Sequence, residues 1–158
     1  MTVDDFSTIE AALKRSAAAL EAAGIPFLLG GSLASWARGG PETSHDLDLL
    51  MTQPDAERAL EALADNGMRP ERPVEGWLYK AWDGDVLVDL IFGPSGLAVD
   101  EAIGRGEELP VLGMTLPTMA LEDMLATKLL ALSEHRIEYT GPLQIARAAR
   151  ADRLAARP

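Results

Sequence analysis

Two aspartates stand one residue apart in the stretch His45-Asp46-Leu47-Asp48-Leu49. On a strand, residues i and i+2 share a face, so both carboxylates point one way while Leu47 and Leu49 point into a core. Like charges held side by side raise one another's pKa, and a divalent cation between them removes that cost. A hard ion such as Mg2+ or Mn2+ suits oxygen ligands. A third acid, Asp89, lies in the apolar run Val86-Leu87-Val88-Asp89-Leu90-Ile91-Phe92, where an unpartnered carboxylate is costly. If that strand lies beside the first, three carboxylates converge on one metal centre. Two-metal phosphoryl and nucleotidyl transfer needs this arrangement: one ion activates the attacking hydroxyl and the other steadies the leaving phosphates.

Gly30-Gly31-Ser32 supplies a second element of the same chemistry. Glycines let a backbone approach a phosphate closely, Ser32 offers a hydroxyl, and the following helix start presents free N–H groups to an anion. Lys128 is expected on the inward stripe of a helix, with Leu121, Leu125 and Leu132, and an inward ammonium seeks an anion.

Leu29-Gly30-Gly31-Ser32, His45-Asp46-Leu47-Asp48-Leu49 and Val88-Asp89-Leu90 together resemble the polymerase-beta-like nucleotidyltransferase superfamily, over roughly residues 25 to 135. The nearest likeness is to its small bacterial members: minimal, antibiotic and toxin-type nucleotidyltransferases. The resemblance implies a nucleotidyltransferase fold and transfer of a nucleoside monophosphate from ATP or another NTP to a hydroxyl, releasing pyrophosphate. It assigns Asp46, Asp48 and Asp89 to catalysis and Mg2+ (or Mn2+), and Gly30, Gly31, Ser32 and Lys128 to the nucleotide. Where many relatives continue with an Arg-x-Lys-Asp run, this chain has His135-Arg136-Ile137-Glu138-Tyr139, which leaves His135 and Arg136 without a role.

The elements that must position these residues are legible in outline. A capping box at Ser7-Thr8-Ile9-Glu10 opens a helix over about 7 to 23, and Phe27-Leu28-Leu29 forms a short strand before the glycine turn and a short helix. Residues 46 to 51 form a strand, and Pro54 opens a helix to about 66. Runs 77 to 82 and 86 to 92 flank Asp83-Gly84-Asp85 and should pair as a hairpin. A short segment at 97 to 103, an extended piece at 109 to 116, and helices at about 118 to 133 and 142 to 156 complete the chain. The fold class is α/β (α+β): a mixed twisted sheet flanked by helices, in one domain over 1 to 158, with the helices of 118 to 156 beside the active-site cleft.

The net charge of −11 argues against a broad nucleic-acid grip, which depends on Lys and Arg displacing counterions. Residues 1 to 127 carry 8 basic and 22 acidic side chains, residues 128 to 158 carry 6 and 3, so the only electropositive segment is C-terminal. With no cysteine there is neither a disulfide framework nor a thiolate zinc site. No basic-then-apolar leader opens the chain, and no run approaches the about 18 apolar residues of a membrane span. A cytoplasmic protein without a membrane partner is expected.

Other readings compete with the chemical ones. An isolated Asp-x-Asp often lines a solvated edge strand, paired glycines often serve only a turn, and a lysine stem often snorkels past leucines. His45 reads as an ordinary loop residue, and Trp36, Trp77 and Trp82 as core or rim packing. Arg147, Arg150, Arg153 and Arg157 form a basic stripe, more simply a solvated helix face than an RNA-binding one. The acceptor stays open: a tRNA in a toxin-antitoxin system with an antitoxin-like partner, a hydroxyl on a protein, or a small molecule of aminoglycoside type. An inactive module binding a nucleotide or a partner is the remaining option, and three retained, mutually repelling acids weigh against it.

Overall fold

A computed structural model describes residues 3–41, 46–94, 96–130 and 140–155 of the 158. Its core element is a seven-stranded mixed sheet in the order β3-β4-β5-β2-β1-β7-β6. The strands are β1 (Leu28–Leu29), β2 (Asp46–Leu50), β3 (Arg69–Glu71), β4 (Leu78–Asp83), β5 (Val86–Ile91), β6 (Glu107–Val111) and β7 (Met114–Thr118). Six helices accompany them: α1 (Val3–Ala22), α2 (Gly31–Ala37), α3 (Gln53–Asp65), α4 (Val99–Gly104), α5 (Leu121–Leu130) and α6 (Thr140–Ala155). The mixed α/β architecture expected from the sequence is the one observed.

Each element follows from local chemistry. The Thr52 hydroxyl accepts the Asp55 amide at 3.4 Å and Pro54 stands in the first turn, so α3 begins where backbone donors find a partner and a fixed φ helps. Strand β2 alternates half-buried Asp46 and Asp48 with Leu47 and Leu49, which are wholly buried in the core. Strands β4 and β5 form the expected hairpin across Gly84, whose φ of +60° only glycine adopts without strain. Helices α1 and α3 pack against each other and against this part of the sheet. On β4, Tyr79 turns toward α3 and hydrogen-bonds Glu57, so by the period of two Lys80 belongs to the opposite face.

Three elements depart from expectation. Helix α1 begins at Val3, so Ser7-Thr8-Ile9-Glu10 lies inside it and does not open it. The extended piece near 109 to 116 is a complete hairpin, β6 and β7, turning at Leu112-Gly113. Its signal was weak because Leu112 takes φ +49°, a conformation in which glycine or asparagine is usual. Strand β3 was not expected at all, since its three exposed residues carry no apolar alternation and Pro70 confines it to an edge.

Two arginines brace the far half. Arg38, almost fully buried, closes α2 by donating to the Met119 carbonyl at 2.9 Å and to Glu107 at 2.8 Å. Arg105 holds Asp123 through two hydrogen bonds of 3.0 Å, tying the end of α4 to the first turn of α5.

Candidate functional site

Strand register brings the chemistry together. Strand β2 runs parallel to β5, with Asp48 directly beside Asp89, and β4 runs antiparallel to β5 with Lys80 directly opposite Asp89. Lys80, Asp89 and Asp48 therefore form one row across three strands, on the face that α3 leaves open. Asp46 lies two residues along the same face of β2, beside Leu87.

The glycine turn meets this row end-on. The Gly30 amide donates to the Asp48 carbonyl at 2.8 Å, which stitches the turn to β2. Gly31 takes φ +62°, and a Cβ there would stand 1.7 Å from Asp48 Oδ2. Only a residue without a side chain lets the carboxylate lie against the turn. Gly31→Ala is expected to lose about 1–2 kcal/mol to the left-handed backbone alone, and more to displacement of Asp48. Gly24→Ala provides the control, because Gly24 has φ +65° with nothing near its missing Cβ. A thermal melt lower for Gly31→Ala than for Gly24→Ala isolates the Asp48 contact; equal melts remove it.

A cleft of about 510 Å³ opens beside the row. Gly30, Gly31, Asp48, Thr127 and Lys128 supply its polar wall, and Trp77, Ile91, Pro94, Met119, Met124 and Ile145 its apolar one. Helices α5 and α6 pack together and contribute residues to this wall. Ser32 is the second residue of α2 and does not line the cleft, and neither do Asp46 and Asp89. Lys128 differs from expectation: it is exposed, while Leu121, Asp123 and Met124 form the buried stripe of α5. Asp123, held by Arg105, lies on the buried side of α5, and Lys128 stands on the cleft wall. Leu132, His45, His135, Arg136 and Arg157 lie outside the described residues, as does the side chain of Arg153. Arg147 and Arg150 are exposed on α6.

The three tryptophans divide. Trp36 packs on Phe6 at 5.2 Å and against the core; Trp82 donates to Glu71 at 2.9 Å and lies under Arg69. Trp77, 42% exposed, stands on the cleft wall.

Charge in the row is only partly compensated: Lys80 Nζ lies 3.6 Å from Asp89 Oδ1, and two carboxylates share that one ammonium. Burial, then the neighbouring Asp89 charge, pushes the Asp48 carboxyl up from 3.8 to about 6, against the pull of Lys128 and Lys80. Burial also raises Asp89, opposed chiefly by Lys80. Asp89 Oδ1 is buried without a hydrogen-bond partner. An orphaned carboxylate oxygen beside a carboxylate that resists ionisation suits a cation. Among the described residues no three acids are close enough to enclose an ion by themselves. Mg2+ does not need them to be, since it is commonly held by one or two carboxylates together with substrate phosphates.

No family model matches the chain, and no curated protein is similar enough to count as a match. Solved structures do resemble it. ANT(2'')-Ia in complex with adenylyl-2''-tobramycin has a TM-score of 0.68 at 18% identity, covering 90% of this chain and 88% of that one. The lincosamide antibiotic adenylyltransferase LnuA, lincomycin-bound, gives 0.59 at 14%, covering 94% and 97%. A candidate nucleotidyltransferase from Thermotoga maritima gives 0.60 at 15%, covering 98% and 93%. Among the described residues no helix is long and apolar enough to cross a membrane. A shared fold across nearly the whole length of each chain, reached from a glycine turn and an Asp-x-Asp strand, gives this protein the nucleotidyltransferase fold.

Proposed function

We propose that this protein is a metal-dependent nucleotidyltransferase that moves a nucleoside monophosphate from an NTP to a hydroxyl of a small molecule and releases pyrophosphate. The observation that carries the reading is the row in which Asp89 and Asp48 stand side by side against the Gly31 turn. Asp46 and Asp48 hold Mg2+ or Mn2+, with the nucleotide's phosphates completing the shell. The ion, when bound, withdraws charge from the phosphates and favours departure of pyrophosphate. The Gly30-Gly31 backbone and the Ser32 hydroxyl hold the phosphates, and Lys128 neutralises them from the cleft wall. Asp89 takes the proton of the attacking hydroxyl. The chain acts as one domain, its last helices walling the cleft.

Two observations favour a small acceptor. The cleft combines an apolar wall with one polar side, the usual composition of small-molecule sites. A net charge of −11 attracts a cationic acceptor and repels nucleic acid. The fold neighbours named for an adenylylated tobramycin and a bound lincomycin support the same class. A tRNA acceptor in a toxin-antitoxin setting would draw on exposed Arg147 and Arg150 of α6. The test incubates protein with each labelled NTP and Mg2+ or Mn2+, and in turn tobramycin, lincomycin, total tRNA and cell lysate. Label in a small molecule, lost in an Asp46→Ala, Asp48→Ala double variant, supports the reading. Label in tRNA alone moves the acceptor to RNA, and label nowhere removes the transferase reading.

A further inference from the structure

Lys80 has no part in the scheme above, yet it sits in its central row. Its backbone pairs with Asp89 across β4 and β5, its side chain is 25% exposed, and its Nζ lies 3.6 Å from Asp89 Oδ1. That separation makes an ion pair at the outer edge of hydrogen-bond reach. The ammonium compensates part of the carboxylate's charge. On the other flank, Asp48 is the paired residue of β2, so Asp89 has a cation on one side and the second carboxylate on the other. Glu71 of β3 pairs with Lys80 from the outer edge, so acids flank the ammonium on both neighbouring strands.

In nucleotidyl transfer with two ions, one cation serves the nucleotide's phosphates and the other serves the acceptor oxygen. We propose that the Lys80 ammonium supplies the acceptor-side charge, so that this chain binds one divalent ion with its nucleotide and not two. The inference rests on the transferase reading and concerns which cation stands at Asp89. In the step, the acceptor O–H bond breaks and its proton passes to the Asp89 carboxylate. The acceptor oxygen forms a bond to the α-phosphorus, and the α-phosphorus–oxygen bond to pyrophosphate breaks with its electron pair. Lys80 stays protonated throughout. Its fixed place opposite Asp89 comes from the sheet ladder, so the charge is in position before substrate arrives.

The test counts bound Mn2+ per chain by paramagnetic resonance, with each α,β-methylene NTP analogue in excess, for wild type, Lys80→Met and Lys80→Arg. One ion is expected in wild type and in Lys80→Arg. Two are expected in Lys80→Met, where the row has lost its built-in cation. Two ions in wild type overturn the proposal, and so does a single ion in a Lys80→Met protein that melts cooperatively. If Lys80→Met does not fold, the wild-type count decides alone. Failure of every analogue to promote Mn2+ binding in wild type is a different result: it removes the transferase reading itself, and this inference with it.

Discussion

Asp48→Asn is expected to make the metal-free protein more stable above pH 6 while cutting its turnover by about 100-fold or more, as loss of a group at the charge centre of transfer requires. The two effects have opposite signs because one carboxylate serves both. Burial and the charge of Asp89 raise Asp48 from 3.8 to about 6. A group whose folded pKa lies above its unfolded one favours the native state at low pH, and that contribution is lost as pH rises through the folded value. At pH 7.5 the ionised carboxylate therefore costs the native state on the order of 3 kcal/mol, and asparagine removes that cost. For a chain of this size the melting temperature should rise by about 5–10 °C at pH 7.5, with the difference vanishing near pH 4. Calorimetry in a chelator across pH 4 to 8, beside the labelled-transfer assay, reads both. A variant no more stable than wild type at pH 7.5 would show that Asp48 does not carry the strain assigned to it.

That prediction exposes a general feature of the site. Leu47 and Leu49 are buried because the strand must anchor in the core, and the same alternation forces Asp46 and Asp48 onto the open face. Core packing thus holds the acids where they repel. The native state tolerates this because the remainder of the sheet is apolar and regular, and because lysines approach from two sides, Lys80 on β4 and Lys128 on α5. Ligand binding is then coupled to stability: whatever cation enters the row relieves the native state, so metal with nucleotide should raise the melting temperature more at pH 7.5 than at pH 5.

How far the sequence revealed this arrangement depended on which interactions were local. The glycine turn, the Asp-x-Asp strand and the hairpin of β4 and β5 were legible because each is set within a few residues by period, parity or turn chemistry. Even the place of Lys80 was implicit: a two-residue turn between Asp83 and Val86 fixes the ladder, and three steps down it Lys80 faces Asp89. Reading the hairpin without counting its register left that lysine unnoticed. Helical spacing puts Lys128 with Leu121 and Leu125, but the buried face of α5 also includes Asp123, which is partnered from a distance by Arg105 of α4. No periodicity within α5 contains that information. The apolar wall of the cleft was equally hidden, since Trp77, Met119 and Ile145 come from three separate segments and look like core residues in isolation.

Asp89→Asn separates chemistry from binding. Asparagine keeps the shape of Asp89 and its place beside Asp48 but cannot take a proton, so the variant should lose about 10²- to 10⁴-fold in kcat, the usual contribution of a positioned general base. Nucleotide affinity should fall little, because in the proposed scheme the phosphates are held at the Gly30-Gly31 turn, on the far side of Asp48 from Asp89, and by Lys128. The wild-type pH profile adds a second constraint. Burial raises the Asp89 carboxyl despite the pull of Lys80, and Asp48 is raised beside it, so the acidic limb of kcat/KM should lie above the ordinary aspartate range and lose its Asp89 step in Asp89→Asn, leaving that of Asp48. Asp89→Asn also leaves the Lys80 ammonium without its counter-ion, facing Asp48 across an uncharged neighbour. Removing the negative charge lowers the attraction for any divalent ion on that side, so the Mn2+ count should not rise. A variant that turns over within tenfold of wild type, with its acidic limb intact, would move the base to Asp46 or to solvent. Loss of nucleotide binding in parallel with turnover would instead make Asp89 part of the phosphate site, and the row would have to be read from its other end.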